Sequence, residues 1–299
     1  MNVFSGALNY IAGNDRVEGI SPVRRLVERI KTSSLPQDRR KSIRDLKNAV
    51  QEGPHRQEEI GSDGLRVIFA VLEQDRQMQD TIVASLELLN NVCCALDPPI
   101  SSEQDEILDA AEFKRRSVAA ASRNTQLFAR INNAVSLLIE LLEEEEFYVR
   151  FNTVELLTAM VGNETDLLVS EILASSTGLS RFVELLNDSR DVIRNEGLLL
   201  LIALSGNSEE ISKILTFENV FDKLFSIINT VKAPVDRSEE DLVDAKEGAI
   251  LVHDCLHLIQ NILRHSGSNV ALFREAEGIE KITKLIRVVD VRMRTIVSE

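Results

Sequence analysis

The chain has 299 residues, of which 44% are hydrophobic, with no Trp, two Tyr, 13 Gly and six Pro. Apolar content of that size supports a continuous core, and the scarcity of aromatics, Gly and Pro favours helices over sheets. A net charge of −14 argues against general nucleic-acid binding, which needs an excess of Lys and Arg against phosphate.

Residues 1–20 place Val3, Phe4, Ala7, Leu8 and Ile11 on one helical face. They are read as a capping segment, because a membrane-surface helix would carry a Lys/Arg face. Residues 22–50 hold nine Lys and Arg against three Asp and Glu, a local +6 that leaves −20 for the rest of the chain. Pro36 fits the first turn of a helix ending near Val50. Arg39, Arg40 and Lys41 form a candidate patch for steering an acidic partner.

From Gly64 to Leu96 a short apolar helix precedes a longer one that contains Cys93 and Cys94. Pro98-Pro99, a Ser-rich turn and mixed charge over 97–123 read as an inserted surface loop, partly helical. The short helix at Ala134–Leu142 is followed by a long one reaching Gly162. Gly178–Leu224 then repeats that order: a short helix, a polar turn at 187–189, a longer helix and a third helix opened by Ser208. The centre of the longer helix, Leu198–Leu204, is apolar on every side and is expected to be buried. A second inserted loop is expected at 230–247, ahead of a helix from Gly248 to Arg264.

The long and short helices recur. At an offset of 44, Glu140-Leu141-Leu142 falls on Glu184-Leu185-Leu186, Arg150 on Arg194, and Gly162-Asn163 on Gly206-Asn207. At a further 58, Glu196-Gly197-Leu198 falls on Asp254-Cys255-Leu256. A two- or three-helix unit of about 40–47 residues predicts an all-α, armadillo/HEAT-like right-handed solenoid, with 1–299 as one repeat domain.

Candidate chemistry is sparse. The three cysteines lie in apolar helical runs, which fits buried thiols in a reducing compartment. His253 and His257 are four apart, but no third metal ligand accompanies them, and no metal is expected. The run Glu143–Glu146 sits where carboxylates favour the next helix dipole. No phosphate-binding glycine loop or nucleophile elbow occurs. No catalytic residue, cofactor or enzyme activity is therefore expected, and no apolar run approaches the roughly 18 residues of a membrane span. A long third helix lines the groove in armadillo repeats, so the partner-binding candidates are Arg150, Glu155, Arg194, Leu199, His257 and Asn261. In importin-alpha proteins successive third helices carry a Trp–Asn ladder. Here Glu155, Leu199 and His257 take the Trp position, with Ala159, Ala203 and Asn261 at the Asn position.

Several blocks go beyond a general solenoid signal: LPQDRRKSIRDLK (35–47), LLEEEEFYVR (141–150), DSRDVIRNEGLLLL (188–201), FENVFDKLFSII (217–228), VHDCLHLIQNIL (252–263) and SNVALFRE (268–275). In order and spacing they resemble the N-terminal globular head of the general vesicular transport factor family, coiled-coil tethers of traffic from endoplasmic reticulum to Golgi. The resemblance covers about 20–286 and extends to the opening MNVF. The family has Gln where Val270 stands, and the 97–123 insertion is particular to this sequence. The family's coiled coil and acidic tail are absent, so the chain is expected to be a fragment. The resemblance implies a non-catalytic scaffold that meets a Rab-family GTPase, SNARE proteins and other Golgi tethering factors. It also implies a homodimeric full-length protein, cytoplasmic and peripherally bound to Golgi and vesicle membranes. Two rival readings of a solenoid are a GTPase-binding regulatory module of a formin-like cytoskeletal protein and a nuclear-import cargo adaptor. The missing Trp–Asn ladder weakens the second.

Overall fold

A computed structural model describes residues 20–98, 105–175, 177–231 and 239–285. The candidate capping segment therefore lies outside the described residues, apart from Ile20. The helices are α1 (Pro22–Thr32), α2 (Pro36–Val50), α3 (Pro54–Asp63), α4 (Leu65–Gln74), α5 (Gln79–Cys93), α6 (Asp105–Ala129), α7 (Ala134–Leu141) and α8 (Phe147–Asn163). They continue as α9 (Thr165–Ala174), α10 (Gly178–Leu185), α11 (Asp191–Ser205), α12 (Glu209–Phe217), α13 (Val220–Thr230), α14 (Glu239–His265) and α15 (Gly267–Glu275). Residues 278–285 are also helical.

Their starts are written in the sequence. Pro22, Pro36 and Pro54 each open a helix, where a missing N–H costs nothing. Side chains of Ser21, Glu146 and Ser208 accept from the N–H groups of Arg24, Val149 and Ile211, satisfying donors that the first turn leaves open. Asn133, Asn219 and Glu277 adopt left-handed backbone; the first two stand just before the second helix of a three-helix unit, and Glu277 just before the helix at 278–285.

The units are α3–α4–α5, α6–α7–α8, α9–α10–α11 and α12–α13–α14, with α1–α2 before them. Their third helices stack side by side in the order α2, α5, α8, α11, α14. The seventh residue of the first four is small and buried: Ser42, Ser85, Thr153 and Gly197. Cys255 takes the same place in α14. The hydroxyls of Ser42, Ser85 and Thr153 donate back to the carbonyls of Asp38, Thr81 and Val149. At Gly197 an added Cβ would lie 2.6 Å from Leu185 Cβ, so the second helix of that unit leans directly on the third. The apolar side chains form one cluster running from Val23 to Phe273.

Two kinds of polar tie join successive units. The fourth residue of α2, Arg39, donates from Nε to Asp75 at 2.8 Å and makes a second bond to the other carboxylate oxygen. The fourth residue of α8, Arg150, pairs with Asp188 through one terminal nitrogen of its guanidinium. Both aspartates sit in the turn before the next third helix, with side chains only 5% and 4% exposed. Burial pushes the Asp188 carboxyl up, but the Arg190 backbone N–H and the guanidinium groups of Arg150 and Arg190 outweigh it. Its pKa is held below the ordinary value of 3.8. The second tie closes helix ends. Within its own unit the buried Gln57 donates to the carbonyls of Val92 and Cys94, and from the next unit Asn124 donates to Val92. Asn163 donates to Cys93. These bonds cover carbonyls that the end of α5 cannot pair within itself.

That network revises the expected loop at 97–123. From Asp105 the chain is α6, which packs on α3. Ser117 is buried, donates to Gln57 Oε1 at 2.8 Å and accepts from the Leu96 N–H at 2.7 Å. From the mixed-charge stretch, Glu112, Arg115 and Arg116 lie on the outer face of this helix, while Ser117, Ala120, Ala121 and Asn124 face the core. The second expected loop lies partly outside the described residues. From Glu239 the chain is already α14, which starts earlier than the expected Gly248.

Identical substitutions at two glycines should act with opposite signs. Gly197→Ala overpacks against Leu185 and should destabilise by about 1–3 kcal/mol. Gly162, near the end of α8, has nothing within 4 Å, so Gly162→Ala should stabilise by up to about 1 kcal/mol. Thermal unfolding midpoints on either side of the parent would show both. Asp188→Asn should lower the midpoint at pH 7. A depressed carboxyl contributes its full stability above pH 3.8 and loses it as pH falls through the lower folded value. The gap between variant and parent should therefore close in acid, and a constant gap would remove the ion-pair explanation.

Candidate functional site

Stacking the third helices aligns their solvent-facing positions into columns across one face of the solenoid. The second residues are Gln37, Asp80, Tyr148 and Val192, with Ile250 in register on α14. The ninth residues are Arg44, Glu87, Glu155 and Leu199, with His257 in register. Of the six groove candidates, the structure brings Glu155, Leu199 and His257 together in this ninth-position column. The other three turn inward. Arg150 holds Asp188. Arg194 pairs with Asp191 at 2.8 Å in its own helix. Asn261 is buried, and its amide donates to the Ile202 carbonyl at 3.2 Å. It therefore closes the end of α11 and presents no amide to the groove.

The face is divided in two. In its N-terminal part, charges are matched between neighbouring helices. Arg40 pairs with Asp80, and Lys47 donates to Glu87 at 2.7 Å. A pocket of about 140 Å³ lies at the boundary, lined by Arg44, Asp80, Val83, Glu87, Glu146 and Tyr148 among others. The candidate steering patch is absorbed by the same pairing. Arg39 and Arg40 are bound to Asp75 and Asp80, and Lys41 alone of the three stays exposed without a partner among the described residues. Sequence reading missed this because an acidic partner some 36 to 40 positions away leaves no local mark.

The C-terminal part is apolar and open. Tyr148, Val192, Ile250 and Leu199 are 58%, 50%, 53% and 40% exposed. Leu199 is thus an exception to the expected burial of the apolar run, whose Leu198, Leu200, Leu201 and Leu204 are buried. The first three of these exposed residues went unnoticed in sequence. The available signal was their common offset, 44 from Tyr148 to Val192 and 58 from Val192 to Ile250. Between them lie two half-buried carboxylates on adjacent helices, Glu155 and Glu196. Burial raises both above the ordinary glutamate value, and the charge of Glu196 adds to the shift at Glu155. Asn90 Nδ2 approaches Glu155 Oε2 at 3.5 Å. Beside them the Cys94 thiol is also raised, by burial and then by Glu155.

This chemistry suits docking. Burial pushes the Cys93 and Cys255 thiols up to about 12, far from the thiolate form that reacts. His253 and His257 share an exposed face of α14, with ring centroids 6.1 Å apart. No group of three metal-ligating side chains occurs among the described residues. No helix among them is long and apolar enough to cross a membrane.

No family model matches the chain. It is 34% identical over 290 residues to general vesicular transport factor p115 of Homo sapiens, covering 97% of this chain and 28% of that protein. It is 36% identical over 254 residues to Golgin candidate 6 of Arabidopsis thaliana, covering 85% of this chain and 25% of that protein. Among solved structures, Uso1-2 superposes with a TM-score of 0.73 at 25% identity, over 91% of this chain and 40% of that one. The chain spans about 28% of the length of the p115 relative. Sequence similarity along almost the whole chain and a shared helical solenoid place it in the general vesicular transport factor family.

Proposed function

We propose that this chain is the docking head of a vesicle-tethering factor acting between endoplasmic reticulum and Golgi, working by protein contact without catalysis. The observation that supports this most is the 34% identity to a vesicular transport factor over 97% of the chain. The geometry adds a surface for the task, the exposed apolar half of the third-helix face. Its partners in this reading are a Rab-family GTPase, SNARE proteins and other Golgi tethering factors. The full-length protein is a homodimer that visits Golgi and vesicle membranes peripherally. A rigid head with weak surfaces then gains strength through a dimeric tail, because a second contact forms at raised effective concentration.

The complete gene product, tagged at its own locus, should form puncta that coincide with early-Golgi markers and disperse when export from the endoplasmic reticulum is blocked. A cortical or nuclear-envelope pattern would remove the tethering reading and leave the fold. Val192→Asp with Leu199→Asp should abolish vesicle capture in a reconstituted tethering assay while moving the thermal midpoint by only a few degrees, since both sites are solvent-exposed. Undiminished capture by that variant would count against the groove.

A further inference from the structure

We infer that the α8–α11–α14 part of the groove takes an extended segment of a partner protein, which places a Lys or Arg between Glu155 and Glu196 and rests apolar side chains on Val192 and Leu199. The inference deepens the docking reading above and rests on it.

Charge carries the choice of occupant. In the N-terminal part of the groove the carboxylates of Asp80 and Glu87 already have cations, Arg40 and Lys47. Glu155 and Glu196 have none among the described residues. The arginines on the same two helices are committed elsewhere, Arg150 to Asp188 and Arg194 to Asp191. Two half-buried like charges on adjacent helices raise each other's cost of ionisation, and among the described residues only the long contact from Asn90 at 3.5 Å to Glu155 eases it. An incoming ammonium or guanidinium would relieve it at once, through charge-assisted hydrogen bonds. A phosphate-bearing occupant would worsen it, so neither nucleic acid nor an anionic membrane fits this stretch.

The apolar columns supply the rest. Exposed apolar side chains recurring in register on adjacent helices, at Tyr148, Val192, Leu199 and Ile250, are of the kind that marks interaction sites. Neighbouring helices packed about 8–10 Å apart are spanned by about three residues of extended chain. A segment crossing α8, α11 and α14 can therefore set a cation between α8 and α11 and apolar side chains on α11 beside it. Asp254 on α14 is already met by His253 at 3.1 Å, which leaves the cation site between α8 and α11.

The test is selection of a phage-displayed random dodecapeptide library on the 299-residue chain, compared with its Glu155→Gln/Glu196→Gln variant. The expected result is enrichment of Lys or Arg flanked by apolar residues on the parent. Labelled copies of those peptides should bind the Gln variant about tenfold or more weakly, the scale of one charge-assisted contact. A Val192→Ser/Leu199→Ser variant should also weaken them. The Gln variant should melt at or above the parent at pH 7, which excludes misfolding as the cause of lost binding. Carboxyls with raised pKa favour the folded state only when protonated, so this advantage should shrink as pH falls towards the ordinary glutamate value of 4.5. Enriched peptides without a cationic bias, a bias that survives in the Gln variant, acidic peptides, or no enrichment at all would each overturn the inference. If vesicle capture still needs Val192 and Leu199 in any of those cases, the docking face stands and only its occupant is misassigned.

Discussion

Helices of eight to 17 residues such as α7 and α8 cannot shield an apolar face alone, so each three-helix unit depends on its neighbour for burial. The stacking of third helices meets that need, and almost every other feature follows from it. Close approach requires a small residue seven positions into each helix, hence Ser42, Ser85, Thr153 and Gly197. It also brings each helix end against the next unit, where Asn124, Asn163 and Asn261 cover the exposed carbonyls. Breaking one such bond would strand a buried acceptor at a cost of about 1–3 kcal/mol. These amides fix how neighbouring units meet.

The same stacking makes the proposed docking face, because one column position repeated across adjacent helices becomes a row. Where rows carry opposite charges, neighbouring helices neutralise each other and the surface is closed to a charged partner. Where rows are apolar or acidic without a cation, the surface is left open. The boundary falls between α5 and α8, at the pocket beside Tyr148. A solenoid can in this way divide one continuous face into a self-satisfied part and a receptive part without altering its backbone.

Much of the fold was legible in the chain because repetition is a strong signal. The offsets of 44 and 58, Pro36 at a helix start and the short helix ahead of each longer one all correspond to observed elements. The fold's long-range polar bonds were not legible. Asn261 looks like a groove residue in a repeat alignment, yet its amide bonds the preceding third helix. Arg39 and Arg150 look like free cations, yet both pair across a unit boundary. The helix α6 follows two prolines and carries mixed charge, so local composition resembles a loop. Its buried Ser117 and Asn124 have meaning only once Gln57 and Leu96 are seen beside them. Of the site, the ninth-position column was readable from register, whereas the exposure of Val192 and the pairing of Glu155 with Glu196 required the stacked helices.

The central claim is that the apolar half of the third-helix face meets partners in the cell. Site-specific photo-crosslinking tests it most directly, with a photoreactive residue at Val192 and, as control, at Phe217. Phe217 is 76% exposed and ends α12, the first helix of its unit. The account predicts discrete adducts with early-Golgi proteins from position 192 and none of those from position 217. Adducts confined to position 217, with a silent groove, would contradict it.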